Sequence, residues 1–276
     1  MAEIRPFRGL LYDSDKAGGD IGDVVAPPYD VISENMRNEL YEKNAYNVVR
    51  LILGKELDGD GQKNNKYTRA RRSLDDWQRE GVLVRDKDDS FYIYSQEYDQ
   101  DGQPCRRIGF MGLMKISEPG IEDPVLPHEH TLARPKEDRL NLIKQVESNL
   151  SPICTLFADE DGCVRGLMKE AMAGREPVID VQVDGERNRL WRFSDEKAIK
   201  KVISCMSDKK VFIADGHHRY AVAKNYRDIA GQRDEYDGSA DHVMMYFADM
   251  SEDNNLTVMA THRVIKKMPE MTSGEI

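Results

Sequence analysis

The sequence predicts an α/β protein (α+β, mixed sheets with flanking helices), and three observations carry that class. Short β-branched and aromatic runs, such as Phe91-Tyr92-Ile93-Tyr94 and Val211-Phe212-Ile213, alternate along the chain with stretches of helical spacing, such as Tyr67, Ala70, Leu74 and Trp77. Asp-Gly pairs at 101–102 and 184–185 separate candidate strands in the way hairpin turns do. The length of 276 residues, 39% of them hydrophobic, is enough to bury a core in one large domain or two modest ones.

Residues 1–32 alternate apolar and polar groups and are broken by Gly18-Gly19, Gly22 and Pro27-Pro28, which predicts strands and turns. Ser33 with Glu34 and the spaced Met36, Leu40 and Tyr41 predicts an N-cap and the first helix. The β-branched run 48–53 reads as a buried strand ending at Gly54, and a polar loop follows over 58–65. Residues 66–80 form a helical face with Gly81 as its C-cap. Strands at 91–94 and 107–114 flank a turn at 99–102. An irregular stretch over 124–135 leads into a helix from about 136 to 147.

Residues 151–157 read as a strand and 166–173 as a short helix. A hairpin joins 178–183 to 189–193, and Ser194 caps the helix after it. The buried strand 210–214 runs into Asp215-Gly216, beyond which Tyr220, Ala223 and Tyr226 continue as a helix. Residues 242–247 form a further strand, with 258–265 as its candidate partner. Thr272-Ser273-Gly274-Glu275 matches a capping box, which predicts that the sequence is the N-terminal part of a longer protein.

The formal charge is -10 with 33% charged residues, so the surface is expected to repel polyanions and no general nucleic-acid partner is expected. No apolar run approaches the roughly 18 residues of a spanning helix, and Met1-Ala2-Glu3-Ile4-Arg5 opens no secretory leader, so no membrane partner is expected. Cys105, Cys154, Cys163 and Cys205 lack metal-site spacing and read as reduced thiols of a cytoplasmic protein.

Chemistry concentrates first at Asp215-Gly216-His217-His218-Arg219. An apolar strand, a glycine turn and a helix start place free N–H groups and the positive end of the helix dipole at one point, where an anion is favoured. Gly216 allows close approach of a phosphate, and His217, His218 and Arg219 add donors. Cations in a first helical turn oppose the dipole unless an anion offsets them. Asp215 is a candidate N-cap or Mg²⁺ ligand beside the phosphates.

A second cluster, Pro127-His128-Glu129-His130-Thr131, precedes Arg134, Lys136, Asp138 and Arg139. Glu129 is the candidate general base, with His128 and His130 orienting it or contacting charged oxygens. The alternatives are a polar turn capping the next helix, or a His-x-His metal site of a hydrolase. A third segment, 25–33, uses Pro27-Pro28 to fix Tyr29 and Asp30, as a pocket wall or simply as a turn. His262-Arg263 is a weaker cluster of the same type.

Together the segments 25–33, 127–153 and 212–220 resemble the family catalogued as domain of unknown function one-thousand-and-fifteen, over most of the chain. The 215–219 turn is similar to the phosphate turns of sulfiredoxin, ParB-type CTPases and ADP-dependent free serine kinases. That resemblance implies a ParB/sulfiredoxin-like nucleotide-binding core around 120–265. It divides the chain into an N-terminal α/β region, 1–118, and a phosphate-binding region, 119–276. The catalytic cysteine of sulfiredoxin is missing, because Gly216 is followed by His217, and no helix-turn-helix of the ParB type is evident.

The resemblance implies a nucleotide-binding phosphotransferase acting on a small hydroxylated metabolite, with serine/phosphoserine interconversion as the candidate reaction. Residues 215–219 would hold phosphate and Mg²⁺ with ATP or ADP. Glu129, with His128 and His130, would carry the catalysis. Tyr29, Asp30, Arg134, Lys136 and Arg139 would hold the acceptor. A nucleotide-responsive binding protein without turnover is the rival, and a metal-dependent hydrolase the third possibility. The oligomeric state is left open.

Overall fold

The computed structural model describes residues 2–118, 120–129, 131, 133–251, 254 and 256, the side chain of Arg134 excepted. His130, the expected strand at 258–265, His262-Arg263 and the 272–275 capping box lie outside the described residues.

The chain opens with β1 (Ile4–Arg5) and β2 (Leu10–Tyr12), then a 3-10 turn at Ile21–Asp23. Helix α1 (Glu34–Lys43) starts where the sequence placed it, with the Ser33 hydroxyl accepting from the Met36 N–H. The run read as a strand at 48–53 is instead the single-turn helix α2 (Val49–Ile52). Asn47, fully buried, explains the reversal. Its amide donates to the carbonyls of Asp23 and Val25 and its oxygen accepts from Val49 N–H, so tertiary bonds fix a turn that β propensity disfavours.

Helix α3 (Lys66–Glu80) has the expected bounds, begins in a capping box between Asn65 and Thr68, and ends at Gly81. Strand β3 (Leu83–Arg85) pairs with β2 as a small separate sheet. The long hairpin β4 (Phe91–Gln100) and β5 (Gln103–Lys115) turns at Asp101-Gly102, both at positive φ. Inside the stretch read as irregular lies β6 (Val125–Leu126), and α4 (Ala133–Val146) starts one turn earlier than expected because Pro135 is tolerated in a first helical turn.

There follow β7 (Ile153–Phe157), α5 (Cys163–Met172), β8 (Ile179–Val183), β9 (Glu186–Phe193), α6 (Glu196–Met206), β10 (Val211–Asp215), α7 (His217–Ala230) and β11 (His242–Asp249). The N-cap of α6 is Asp195, one residue after the expected Ser194; its carboxylate accepts from Ala198 N–H.

Among the described residues nine strands form one mixed sheet in the order β6-β10-β7-β11-β5-β4-β9-β8, with β1 added alongside β5. Among the described strands only β6/β10 and β7/β11 are parallel pairs. Strands from both sides of residue 118 share this sheet. One face packs Phe91, Ile93, Phe110, Ile153, Phe157, Met245 and Phe247 against Val164 and Met168 of α5 and Ile199, Val202 and Met206 of α6. A second core joins α2, α3 and α4 through Leu51, Ile52, Leu74, Trp77, Leu142 and Val146.

Cys163 on α5 and Cys205 on α6 are paired as a disulfide, Cα atoms 6.3 Å apart, against the expectation of four reduced thiols. Side-by-side packing of the two helices brings together residues that sequence spacing keeps apart. Cys105 and Cys154 are free. No helix among the described residues is long and apolar enough to cross a membrane.

Candidate functional site

Strand β10 delivers Asp215 to a turn at Gly216, whose φ of 103° is a left-handed conformation that costs a residue with a Cβ about 1–3 kcal/mol. That turn starts α7. Most other helix starts are satisfied by side chains: Ser33 caps α1, Asn65 caps α3, Asp195 caps α6, and Asp159 and Asp161 accept from the first N–H groups of α5. Among the described residues no side-chain hydrogen bond caps α7 at Gly216. The positive end of its dipole therefore faces the site.

Arg219 folds back across this opening. A Cβ on Gly216 would sit 3.0 Å from Arg219 Nε, so the glycine makes room for the guanidinium. Arg219 Nη1 donates to the Pro152 carbonyl and Nη2 to the Asp215 carboxylate, while Nε is buried with no hydrogen-bond partner among the described residues.

His217 is turned the other way, toward the loop after β6. Its side chain is 5% exposed. The His128 backbone N–H donates to His217 Nε2 at 3.3 Å, which puts the ring proton on Nδ1, and Nδ1 lies 3.8 Å from Glu129 Oε2. The rings of His128 and His217 meet edge to face with centroids 4.4 Å apart, and His128 Nε2 lies 3.8 Å from Glu129 Oε1. Burial first, and the neighbouring His128 second, hold His217 below the ordinary histidine range. It is a neutral imidazole at pH 7. His218 is partly exposed on the first turn of α7.

The third sequence segment closes the site from the helical side. Tyr29, Arg139 and Arg219 line a small open cleft, whose walls are otherwise mainly apolar: Ile52 of α2, Leu142, Ile143 and Val146 of α4, and Val222 and Ala223 of α7. The Arg139 guanidinium stacks 4.2 Å over the Tyr29 ring. Arg139 is nearly buried and already committed, donating from Nη1 to the Ile52 carbonyl at 2.7 Å and from Nε to Asp138 at 3.0 Å. Asp30 is exposed beside Tyr29, and Lys136 is partly buried in the first turn of α4.

Sequence reasoning missed the support beneath Arg139. Asp138 accepts from the Tyr67 hydroxyl at 2.8 Å and pairs with Lys66 Nζ at 2.9 Å. Burial alone would raise the Asp138 carboxyl, yet Lys66 and Arg139 hold it at about 2. Lys66 and Tyr67 open α3, so the signal was a charged, aromatic helix start far from any motif. Also missed were Arg107, Tyr246 and Cys154, which are spread over three strands and carry no local pattern.

Chemically, the arrangement offers an uncapped helix start with an orphaned guanidinium nitrogen, and next to it a carboxylate held against a neutral imidazole. Asp215 is a half-exposed carboxylate tied to Arg219. A phosphate-bound Mg²⁺ needs only one or two carboxylates, so this donor fits. Among the described residues no group of three or more His, Cys, Asp or Glu is placed to hold a metal by itself.

No curated protein and no solved structure matches the chain. A family model does, over residues 4–276, and the chain belongs to that family, described as Protein of unknown function (DUF1015).

Proposed function

We propose that the chain is a nucleotide-dependent phosphotransferase, with the phosphate held at the start of α7 and the acceptor hydroxyl of a small metabolite presented to Glu129. The observation that carries the proposal is the α7 start with the unpartnered Arg219 Nε, whose first residue, His217, lies against Glu129 and His128. Donors without acceptors favour an anion there, and a carboxylate beside them supplies the base that phosphoryl transfer to a hydroxyl needs.

In the forward direction the acceptor oxygen forms a bond to the terminal phosphorus while the bond from phosphorus to the leaving phosphate oxygen of the nucleotide breaks. The hydroxyl proton passes to Glu129, and the electron pair of the broken bond leaves with the nucleotide. His217 positions Glu129 through Nδ1–H and does not itself reach the transferred group. The N–H groups of residues 217–219, His218 and Arg219 Nε–H hold the phosphoryl oxygens. Asp215 would hold Mg²⁺, which would supply charge neutralisation at the phosphate. Serine, or phosphoserine in reverse, is the proposed acceptor, and the proposed setting is cytoplasmic.

The Asp215–Arg219 pair favours a second reading, a nucleotide-responsive switch, because a ligand phosphate would compete with Asp215 for the same guanidinium. Glu129→Gln separates the two. Thermal melts with ATP, ADP, CTP, AMP, pyrophosphate and phosphoserine identify the ligand, since a ligand at 100 times its Kd stabilises by about 2.7 kcal/mol. Phosphotransferase chemistry predicts product formation by the wild type that Glu129→Gln abolishes with ligand affinity unchanged. Binding without turnover by the wild type supports the switch, and no thermal shift with any of these at millimolar concentration removes both.

A further inference from the structure

We infer that the sheet face beside Asp215 carries a second anion subsite, formed by Arg107 and Tyr246 beside Cys154, which takes a carboxylate or second phosphate group of the ligand. The inference rests on the reading of the α7 start as a phosphate site.

Strand register places the groups together. Asp215 of β10 is opposite Cys154 of β7, Cys154 is opposite Tyr246 of β11, and Tyr246 is opposite Met111 of β5. Directly opposed residues share a face, so these side chains form one row running from the α7 start across the sheet. Arg107 is on that same face of β5 by alternation, and Gly109 lies between it and Met111. A Cβ on Gly109 would fall 2.6 Å from the Tyr246 ring, so the glycine is what lets the tyrosine lie over β5. Tyr94 packs edge-on against Tyr246 at 5.8 Å, and the Arg107 guanidinium is stacked 5.4 Å over Tyr98.

Tyr246 is 7% exposed, and its buried hydroxyl has no hydrogen-bond partner among the described residues. Arg107 Nε shares that condition, whereas Arg219 Nε is assigned to the α7 phosphate. Buried polar atoms are nearly always paired, so two orphans beside one thiol call for a ligand. Guanidinium nitrogens only donate, which makes the missing partner an acceptor. Asp215 is already paired with Arg219, and the positive charge left on Arg107 makes that acceptor an anion. The Cys154 thiol agrees with the placement: burial chiefly and Asp215 secondly push it up, while Arg107 and Arg219 both pull it down from within reach of the same sulfur. Arg139, the expected holder of a substrate carboxylate, is occupied by Asp138 and the Ile52 carbonyl.

The test is calorimetric titration of wild type, Arg107→Gln and Tyr246→Phe with inorganic phosphate, phosphoethanolamine, phosphoserine, pyrophosphate and L-serine. The wild type is expected to bind at least tenfold more tightly when a second anionic group is added. Phosphoserine exceeding phosphoethanolamine identifies a carboxylate, and pyrophosphate exceeding phosphate identifies a second phosphate. Arg107→Gln should erase that gain and leave inorganic phosphate unaffected. Tyr246→Phe should reduce the gain while melting no lower than the wild type, because the hydroxyl it removes has no partner among the described residues. A gain that survives in both variants, or no gain in the wild type, overturns the subsite. If no phosphorylated probe binds, the α7 phosphate reading fails separately, and L-serine binding that does not depend on Arg107 then overturns the subsite as well.

Discussion

Replacing Asp138 with asparagine removes the negative charge beneath Arg139 and leaves the shape of the side chain almost unchanged. The carboxylate takes the Tyr67 hydroxyl at 2.8 Å, Lys66 Nζ at 2.9 Å and Arg139 Nε at 3.0 Å, and these cations hold its pKa at about 2 against an ordinary 3.8. At about 1.4 kcal/mol per pKa unit, that depression amounts to roughly 2.5 kcal/mol of folding free energy. The side chain is 31% exposed, so solvent screening reduces the expected value to about 1–2 kcal/mol. Because the folded-state value is the lower one, this stability is complete above pH 4 and is lost as pH falls toward 2. Urea unfolding of wild type and Asp138→Asn should therefore differ by about 1–2 kcal/mol at pH 7 and converge at pH 2. A difference that is absent at pH 7, or that is as large at pH 2, would refute the assignment of Lys66 and Arg139 as the cause.

Gly216→Ala should destabilise by about 1–3 kcal/mol in chemical denaturation, from the φ of 103° and the contact with Arg219, and should weaken binding of a phosphorylated ligand more than tenfold. His217 is held below its ordinary value, so as pH drops through 6.5 the unfolded chain binds its proton first and the fold loses stability. His217→Gln should flatten that part of the stability profile between pH 7 and 5; an unchanged slope would place the histidine in a different environment. Phe157→Ala, at a fully buried position between the sheet and α5/α6, should cost about 3–5 kcal/mol by urea midpoint, and less than 1 would mean that the core there is loosely packed.

Much of this fold is legible in local chemistry. Helix α3 runs between an asparagine cap and Gly81 as its spacing indicates, and the two Asp-Gly hairpins join strands at the expected turns. Local chemistry fails where distant groups decide. Residues 48–53 have strand propensity, but buried Asn47 reaches Asp23 and Val25 and winds them into α2. At the site, the 215–219 turn, Glu129 and Tyr29 stand out because each sits in a compact polar or proline-bounded motif. The lattice beneath them does not. Lys66 and Tyr67 on α3 are 71 or more positions from Asp138 on α4, which Tyr67 reaches through its hydroxyl. Arg107, Cys154 and Tyr246 meet only through sheet register.

Amide NMR of the nitrogen-15-labelled chain titrated with ADP, pyrophosphate and phosphoserine tests the α7 phosphate site most directly. The account predicts that the largest shifts fall on the N–H groups of Gly216, His217, His218 and Arg219, and that added salt weakens them. Saturating ligand that leaves these four amides in place, or that moves only residues remote from the start of α7, would contradict it.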